Sequence, residues 1–174
     1  MLEVIIGNIC SLLAMLADSF GSTRKKAKEV LLMQAVSQGI YCIGSIVLKG
    51  YSAAVQNVIG VIRNLIATRK GSHKAVEWIL IVLGVALGIV FNNRGWLGWF
   101  PILANLEYSL AIYWFKDNEY ILKITFAVYM LMYTVFNLCL FNFVGFIANM
   151  VVILTTVTCI IRDARDKKAS AREA

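Results

Sequence analysis

Residues 35–62 read AVSQGIYCIGSIVLKGYSAAVQNVIGVI, and residues 127–154 read AVYMLMYTVFNLCLFNFVGFIANMVVIL. Laid over one another at an offset of 92 (127 − 35), they agree at Ala35/Ala127, Val36/Val128, Tyr41/Tyr133, Leu48/Leu140 and Asn57/Asn149. Most other positions exchange one apolar residue for another. Each stretch holds two apolar runs with almost nothing between them: Lys49-Gly50 in the first, Asn142 in the second. Links that short force antiparallel neighbours. The chain therefore reads as two related halves.

Working outward, seven apolar runs cover the sequence: Leu2–Ala17, Val30–Leu48, Tyr51–Thr68, Val76–Phe91, Trp99–Phe115, Tyr120–Phe141 and Phe143–Ile161. The chain is 60% hydrophobic, with a single proline in 174 residues, and its mean hydropathy is +0.74. Most runs reach the roughly 17–25 residues that cross a bilayer as a helix. The first and fourth are a little short and are expected to lean on flanking residues. Alternation of period two is missing, and a lipid-exposed backbone must satisfy its own hydrogen bonds, so helices are predicted rather than a barrel. The predicted fold is an all-α membrane protein with seven transmembrane helices. Two parallel three-helix bundles, residues 1–70 and 98–163, are joined by a linker helix in 71–97 and followed by a basic cytoplasmic tail, 164–174. The first helices of the halves align at an offset of 97 (105 − 8), which places Asn8 over Asn105, Leu13 over Leu110 and Ala14 over Ala111.

The net charge of +7 is explained by its placement and does not call for nucleic acid. Arg24, Lys25, Lys26 and Lys28 follow the first run, and Arg69, Lys70 and Lys74 follow the third. Lys116 follows the fifth, and Arg162, Arg165, Lys167, Lys168 and Arg172 close the chain. Only Lys49 and Arg94 stand at the opposite ends. Because positive charge stays on the cytoplasmic side, the N-terminus is expected outside and the C-terminus in the cytoplasm. The first run has its charges after it, the reverse of a cleaved signal peptide. Cys10, Cys42, Cys139 and Cys159 all lie in apolar runs at wide spacing, the pattern of small buried hydrophobes.

Polar side chains in membrane helices are costly unless they face protein or a wet cavity. Asn57 and Asn149 each follow their tyrosine, Tyr41 or Tyr133, by sixteen residues (57 − 41; 149 − 133). Through a tight hairpin this spacing brings tyrosine and asparagine to similar depth on neighbouring helices. Two such pairs, face to face, would make a polar pocket with aromatic walls. The alternative is that each asparagine only ties helices together. Gln38 shares a helical face with Gln34 and Tyr41, and Asn64 follows Asn57 by two turns with Gly60 between them. Asn105 is the partner of Asn8 in the offset alignment, and Asn137 lies one turn beyond Tyr133. Arg63 and Glu107 lie well inside apolar runs, free to pair with each other, while Asp18 and Lys123 fall near run ends. The candidate substrate-binding set is Tyr41, Asn57, Tyr133 and Asn149, with Gln38, Asn64, Asn105 and Glu107 around it. Gly84-x-x-x-Gly88 lets another helix approach closely, within the chain or across a homo-oligomer seam. Trp78, Trp96, Trp99 and Trp114 sit near run ends, where an indole suits the headgroup level.

Nothing forms a catalytic set. The single histidine, His73, stands in a basic loop, and neither a phosphate loop nor a cluster of metal ligands is present. No enzymatic activity, cofactor or metal is expected. The expected partners are a small-molecule substrate and the lipid bilayer.

Three helices, a linker and three more, with the N-terminus outside, resembles the 3+1+3 architecture of SWEET sugar transporters and PnuC vitamin transporters. The SWEET resemblance implies a substrate site formed by Tyr41 and Tyr133, standing where that family has tryptophan, with Asn57 and Asn149. The proline-glutamine signature of that family is missing: Pro101 is followed by isoleucine and has no partner in the first helix. In length, seven-run layout and texture, such as Val55-Gln56-Asn57-Val58-Ile59-Gly60, the chain is similar to the bacterial YgjV-type inner-membrane proteins. Together these resemblances imply a multi-pass inner-membrane facilitator for a small polar metabolite such as a sugar, nucleoside or vitamin. A non-transporting interaction or regulatory protein is the alternative. It predicts a closed interior without a cavity of ligand size.

Overall fold

The structure is a computed structural model that describes residues 2–69, 74–139 and 142–173, residue 166 being the last whose side chain is described. Lys70, His73, Leu140 and the side chains of Lys167, Lys168 and Arg172 lie outside the described residues. The described residues form seven α-helices: Leu2–Ser22 (α1), Ala27–Val47 (α2), Tyr51–Ala67 (α3), Lys74–Val90 (α4), Trp99–Phe115 (α5), Glu119–Cys139 (α6) and Phe143–Glu173 (α7). A 3-10 turn at Gly95–Gly98 precedes α5, and no strand occurs among the described residues.

Among the described residues four helices are long and apolar enough to cross a membrane: α1, α2, α6 and the Phe143–Asp166 part of α7. The short first run does lean on flanking residues. Asp18, Ser19 and Ser22 extend α1 past its apolar run to 21 residues, and Asp18 and Ser22 find buried partners in Ser37 and Thr156. The shorter helices are α3, α4 and α5, with 17 residues each, or about 26 Å at 1.5 Å per residue.

The repeat extends to the backbone of the hairpins. After α2 the chain turns through Lys49, whose φ of 56° is left-handed, and the Gly50 N–H closes on the Ser45 carbonyl at 2.8 Å. Ahead of α7 the Asn142 N–H closes on the Asn137 carbonyl at 2.9 Å. Both are six-to-one closures of the kind that terminate helices, and Ser45/Asn137 and Gly50/Asn142 are separated by the same 92 positions. Asn142 also caps α7, accepting from the Gly145 N–H at 3.1 Å. Asn118 caps α6 in the same way, accepting from Tyr120 and Ile121.

Around the molecule α1 packs on α2, α2 on α3, α3 on α5, α5 on α6, α6 on α7, and α7 back on α1. Six helices thus close a ring, with α2 and α6 touching across it and α4 packed against α3 and α5. The α4 contact is close because Gly84 and Gly88 lack side chains. The Gln56 amide donates to the Gly84 carbonyl at 2.8 Å, and a Cβ on Gly88 would stand 2.8 Å from Ile102 Cγ1. The glycine pair is therefore used inside the chain.

Polarity is distributed in the opposite sense to a soluble domain. Gln34, Gln38, Gln56, Asn57, Asn64, Asn105 and Asn149 are buried, whereas Leu2, Leu16, Val82, Val90 and Leu154 are exposed on the outside. All four tryptophans are exposed as well. An aromatic core lies on the α5–α6 side, where Phe126 stacks on Tyr129 at 5.6 Å and Tyr108 tilts against both rings.

Candidate functional site

The two hairpins stand at one end of the ring, together with the N-terminus of α1 and the α4–α5 connection, where Asn93 Nδ2 donates to the Lys49 carbonyl. From this hairpin end a cavity of about 430 Å³ reaches down between α1, α2, α3, α6 and α7. Its wall mirrors the repeat. Eight pairs related by the offset of 92 face it, among them Tyr41/Tyr133, Ser45/Asn137 and Asn57/Asn149. Gln38 pairs with Met130 in the same manner, and Tyr129 and Phe136 complete an aromatic side. Arg94, at the mouth, is the one charged residue among the described lining.

Five of the eight candidate residues thus meet in one place: Gln38, Tyr41, Asn57, Tyr133 and Asn149. Four of them carry a buried polar atom without a hydrogen-bond partner: Gln38 Nε2, the Tyr41 and Tyr133 hydroxyls, and Asn149 Nδ2. Tyr129 comes near both Gln38 and Tyr133 without hydrogen-bond geometry at either orphaned atom. Asn57 reaches Ser45 Oγ at 3.4 Å. Buried polar groups are nearly always satisfied; here two such groups from α2 and one each from α6 and α7 face the same cavity without a protein partner. All four can donate, and the lining contains no carboxylate. The cavity can hold a small neutral or mildly anionic molecule rich in acceptors, with an aromatic face against a flat surface.

Asn64, Asn105 and Glu107 lie elsewhere. Deeper than the cavity, on the side away from the hairpins, a polar layer fills the ring. Arg63 is 5% exposed and donates through Nη1 to Asn105 Oδ1 at 2.6 Å and Ser109 Oγ at 2.9 Å, and through Nε to Asn64 Oδ1 at 3.1 Å. Its guanidinium lies 4.8 Å from the Tyr108 ring centroid. Asn105 Nδ2 in turn donates to Gln56 Oε1 at 2.6 Å. The Tyr108 hydroxyl bonds Gln34 Oε1, and Asn64 reaches Gln38 Oε1 at 3.4 Å. Glu107 is half-buried on the same helix and forms no ion pair with Arg63; its Oε2 has no hydrogen-bond partner.

This inside-out distribution, with a polar cavity and polar layer enclosed by helices whose outer faces are apolar, is that of a membrane protein. Over residues 5–167 the sequence matches the family model described as a bacterial inner membrane protein. The chain belongs to this Imp-YgjV family. No curated protein and no solved structure matches it.

Two buried charges in this Imp-YgjV chain escaped the sequence reading because they fall near the ends of apolar runs. Lys123 is 1% exposed and donates to Asp163 Oδ2 at 2.7 Å, tying α6 to α7. Asp18 is also 1% exposed and is bonded to the Ser37 hydroxyl. For Asp18 a signal was present. Helical spacing from Asp18 to Ser11 and Ala14, both buried, keeps it on the inner face of α1. The four cysteines are free, Cys139 exposed and Cys10 and Cys159 buried.

Proposed function

We propose that this inner-membrane protein is a transporter for a small polar, uncharged metabolite such as a sugar, nucleoside or vitamin, working by alternating access. Two three-helix units, α1–α3 and α5–α7, joined by α4 in a SWEET-like 3+1+3 plan, would rock about a site between them. With the N-terminus outside and the C-terminus cytoplasmic, the cavity is the outward-facing vestibule, and the layer around Arg63 is the closed inner gate. The observation that carries this reading is the cavity itself. Its volume falls in the roughly 300–1,000 Å³ range of small-molecule sites, and the four unpaired groups on its wall come from both halves. Tyr41, Asn57, Tyr133 and Asn149, with Gln38, are the substrate contacts. Asn64 and Asn105 serve the gate.

The alternative, a non-transporting interaction or regulatory protein, expects a closed interior with both asparagines bonded to helices. An open cavity and an unpaired Asn149 amide speak for transport.

The test is in two steps. A thermal-stability screen of the purified protein against sugars, nucleosides and vitamins identifies a binder by mass action. That compound is then followed into proteoliposomes containing wild type, Asn57→Leu or Asn149→Leu. Loss of uptake in both folded variants supports the site; undiminished uptake in both rejects it.

A further inference from the structure

Arg63 can only donate hydrogen bonds, so each side-chain amide that meets it must turn its oxygen toward it. Two chains of amides are ordered in this way. In the first, Arg63 Nη1 donates to Asn105 Oδ1 at 2.6 Å, which leaves Asn105 Nδ2 to donate to Gln56 Oε1 at 2.6 Å. Gln56 Nε2 then donates to the Gly84 carbonyl at 2.8 Å, and the chain ends satisfied on α4. In the second, Arg63 Nε donates to Asn64 Oδ1 at 3.1 Å, and Asn64 Nδ2 donates to Gln38 Oε1 at 3.4 Å. What remains at its end is Gln38 Nε2, unpaired, on a side chain that lines the cavity.

The two chains correspond link for link except at the last. Each seats its glutamine on a glycine: a Cβ at Gly88 would collide with Gln56 Nε2, and one at Gly60 with Gln38 Oε1. Arg63, Asn64 and Gln38 are all buried. Turning the Gln38 amide over would set its amino group against that of Asn64, so its orientation is fixed. The nearby Tyr129 hydroxyl does not meet Gln38 Nε2 in hydrogen-bond geometry. The open end of the second chain faces the space where a ligand would sit.

We propose that Arg63, acting through Asn64, holds Gln38 as a donor toward the cavity, and that the ligand supplies the acceptor which the Gly84 carbonyl supplies to the other chain. This names the substrate class and rests on the reading of the cavity as a substrate site. Asn149 Nδ2 is a second unpaired donor on the same lining, and an amide nitrogen does not accept. A sugar hydroxyl that accepts from such a group brings a proton of its own to place, and the described lining has no carboxylate to take it. A carbonyl or ring nitrogen accepts and brings none. Tyr41, Tyr129, Tyr133 and Phe136 supply ring surface for a flat partner. The class is therefore an uncharged planar heterocycle with carbonyl or ring-nitrogen acceptors on its edge, such as a nucleobase, in preference to a polyol. Gln38 touches the ligand; Asn64 and Arg63 are positioning residues.

The experiment measures binding by thermal stabilisation of the purified protein with two sets of uncharged probes: uracil, cytosine and hypoxanthine, then glucose, ribose and inositol. The tightest ring is expected to bind at least tenfold more strongly than any polyol. Asn64→Asp still accepts from Arg63 but has no proton to pass on, so Gln38 turns its amino group inward and its oxygen to the cavity. Ring affinity should fall about tenfold, the equivalent of one lost hydrogen bond, while no polyol weakens. Equal weakening of both sets would make Asn64 a structural residue only and overturn the inference. Should Asn64→Asp fail to fold, Gln38→Met, which removes the donor and keeps the length, must lower ring affinity by the same factor. A polyol that outbinds every ring, or ring affinity untouched in these variants, overturns the inference and leaves the transport reading standing. If neither set binds, the inference falls; the transport reading falls with it only if the vitamins of the wider screen fail as well.

Discussion

Tyr41 and Tyr133 stand 92 positions apart in the chain and line one cavity, and neither hydroxyl has a hydrogen-bond partner. A structural pair would have been bonded into the bundle, since an unsatisfied buried hydroxyl costs about 1–3 kcal/mol. The two phenols instead stand on facing halves of the cavity that the Asn57 and Asn149 side chains also line, with Tyr129 against Tyr133.

Removing an idle hydroxyl should relieve the fold and harm binding. Tyr41→Phe and Tyr133→Phe are expected to melt at or slightly above the wild-type temperature. Each should also weaken the ligand found in the stability screen about tenfold, the equivalent of one lost hydrogen bond. Melting curves and ligand titrations of both variants check this. A clear fall in melting temperature without ligand would mean that the hydroxyl serves the fold.

Two glycines in the interiors of helices should respond in opposite directions. An added Cβ at Gly39, within α2, meets nothing within 4 Å, so Gly39→Ala should stabilise by about 0.5–1 kcal/mol through lost backbone freedom in the unfolded chain. At Gly88 the same atom runs into Ile102 and the Gln56 amide. Gly88→Val should therefore push α4 off the α3/α5 seam and cost about 1–3 kcal/mol. Denaturation in mixed micelles measures both; equal effects at the two positions would contradict the packing described for α4.

Much of this was legible in the sequence, and the misses share a cause. The offset of 92 foretold the matched hairpins and the residues that face each other across the cavity, because a repeat carries three-dimensional information that composition does not. Asn64 and Asn105 resemble Asn57 in everything the sequence displays: an amide on a helix that is apolar on its other faces. Depth along the helix decides between the cavity and the Arg63 layer, and depth depends on where each helix starts. The same uncertainty hid Asp18 and Lys123. Run boundaries drawn from hydropathy end where polar residues begin, whereas α1 continues to Ser22 and places Asp18 a full turn inside.

The Lys123–Asp163 bridge should behave as a buried pair. Asp163→Asn leaves the ammonium of Lys123 enclosed without a counter-charge and should cost about 3–5 kcal/mol. Replacing both partners by Lys123→Met with Asp163→Leu removes the charge and its penalty together, so the double variant should be more stable than Asp163→Asn. Unfolding free energies of the three proteins decide it. A double variant as unstable as the single one would show that packing between α6 and α7, rather than charge, sets the cost.

Arg63 gives the proposed transport cycle its sharpest test, because its guanidinium joins α3 to α5 in the polar layer beneath the cavity. The bond from Nη1 to Asn105 Oδ1 is charge-assisted and short, so a double-mutant cycle of Arg63→Met and Asn105→Leu should return a coupling of about 1–2 kcal/mol, above the ordinary interhelical bond. In the proposed transport cycle that energy holds the Arg63 layer closed only in the outward-open arrangement. Asn105→Leu should consequently shift the population toward the inward-open form and expose cysteines introduced beneath the layer, on α5 near Ile112, to a water-soluble maleimide. Asn149→Leu, confined to the cavity wall, should leave that labelling as in wild type. Labelling unchanged by Asn105→Leu would strip the Arg63 layer of its proposed gating role and leave the reading of the cavity untouched.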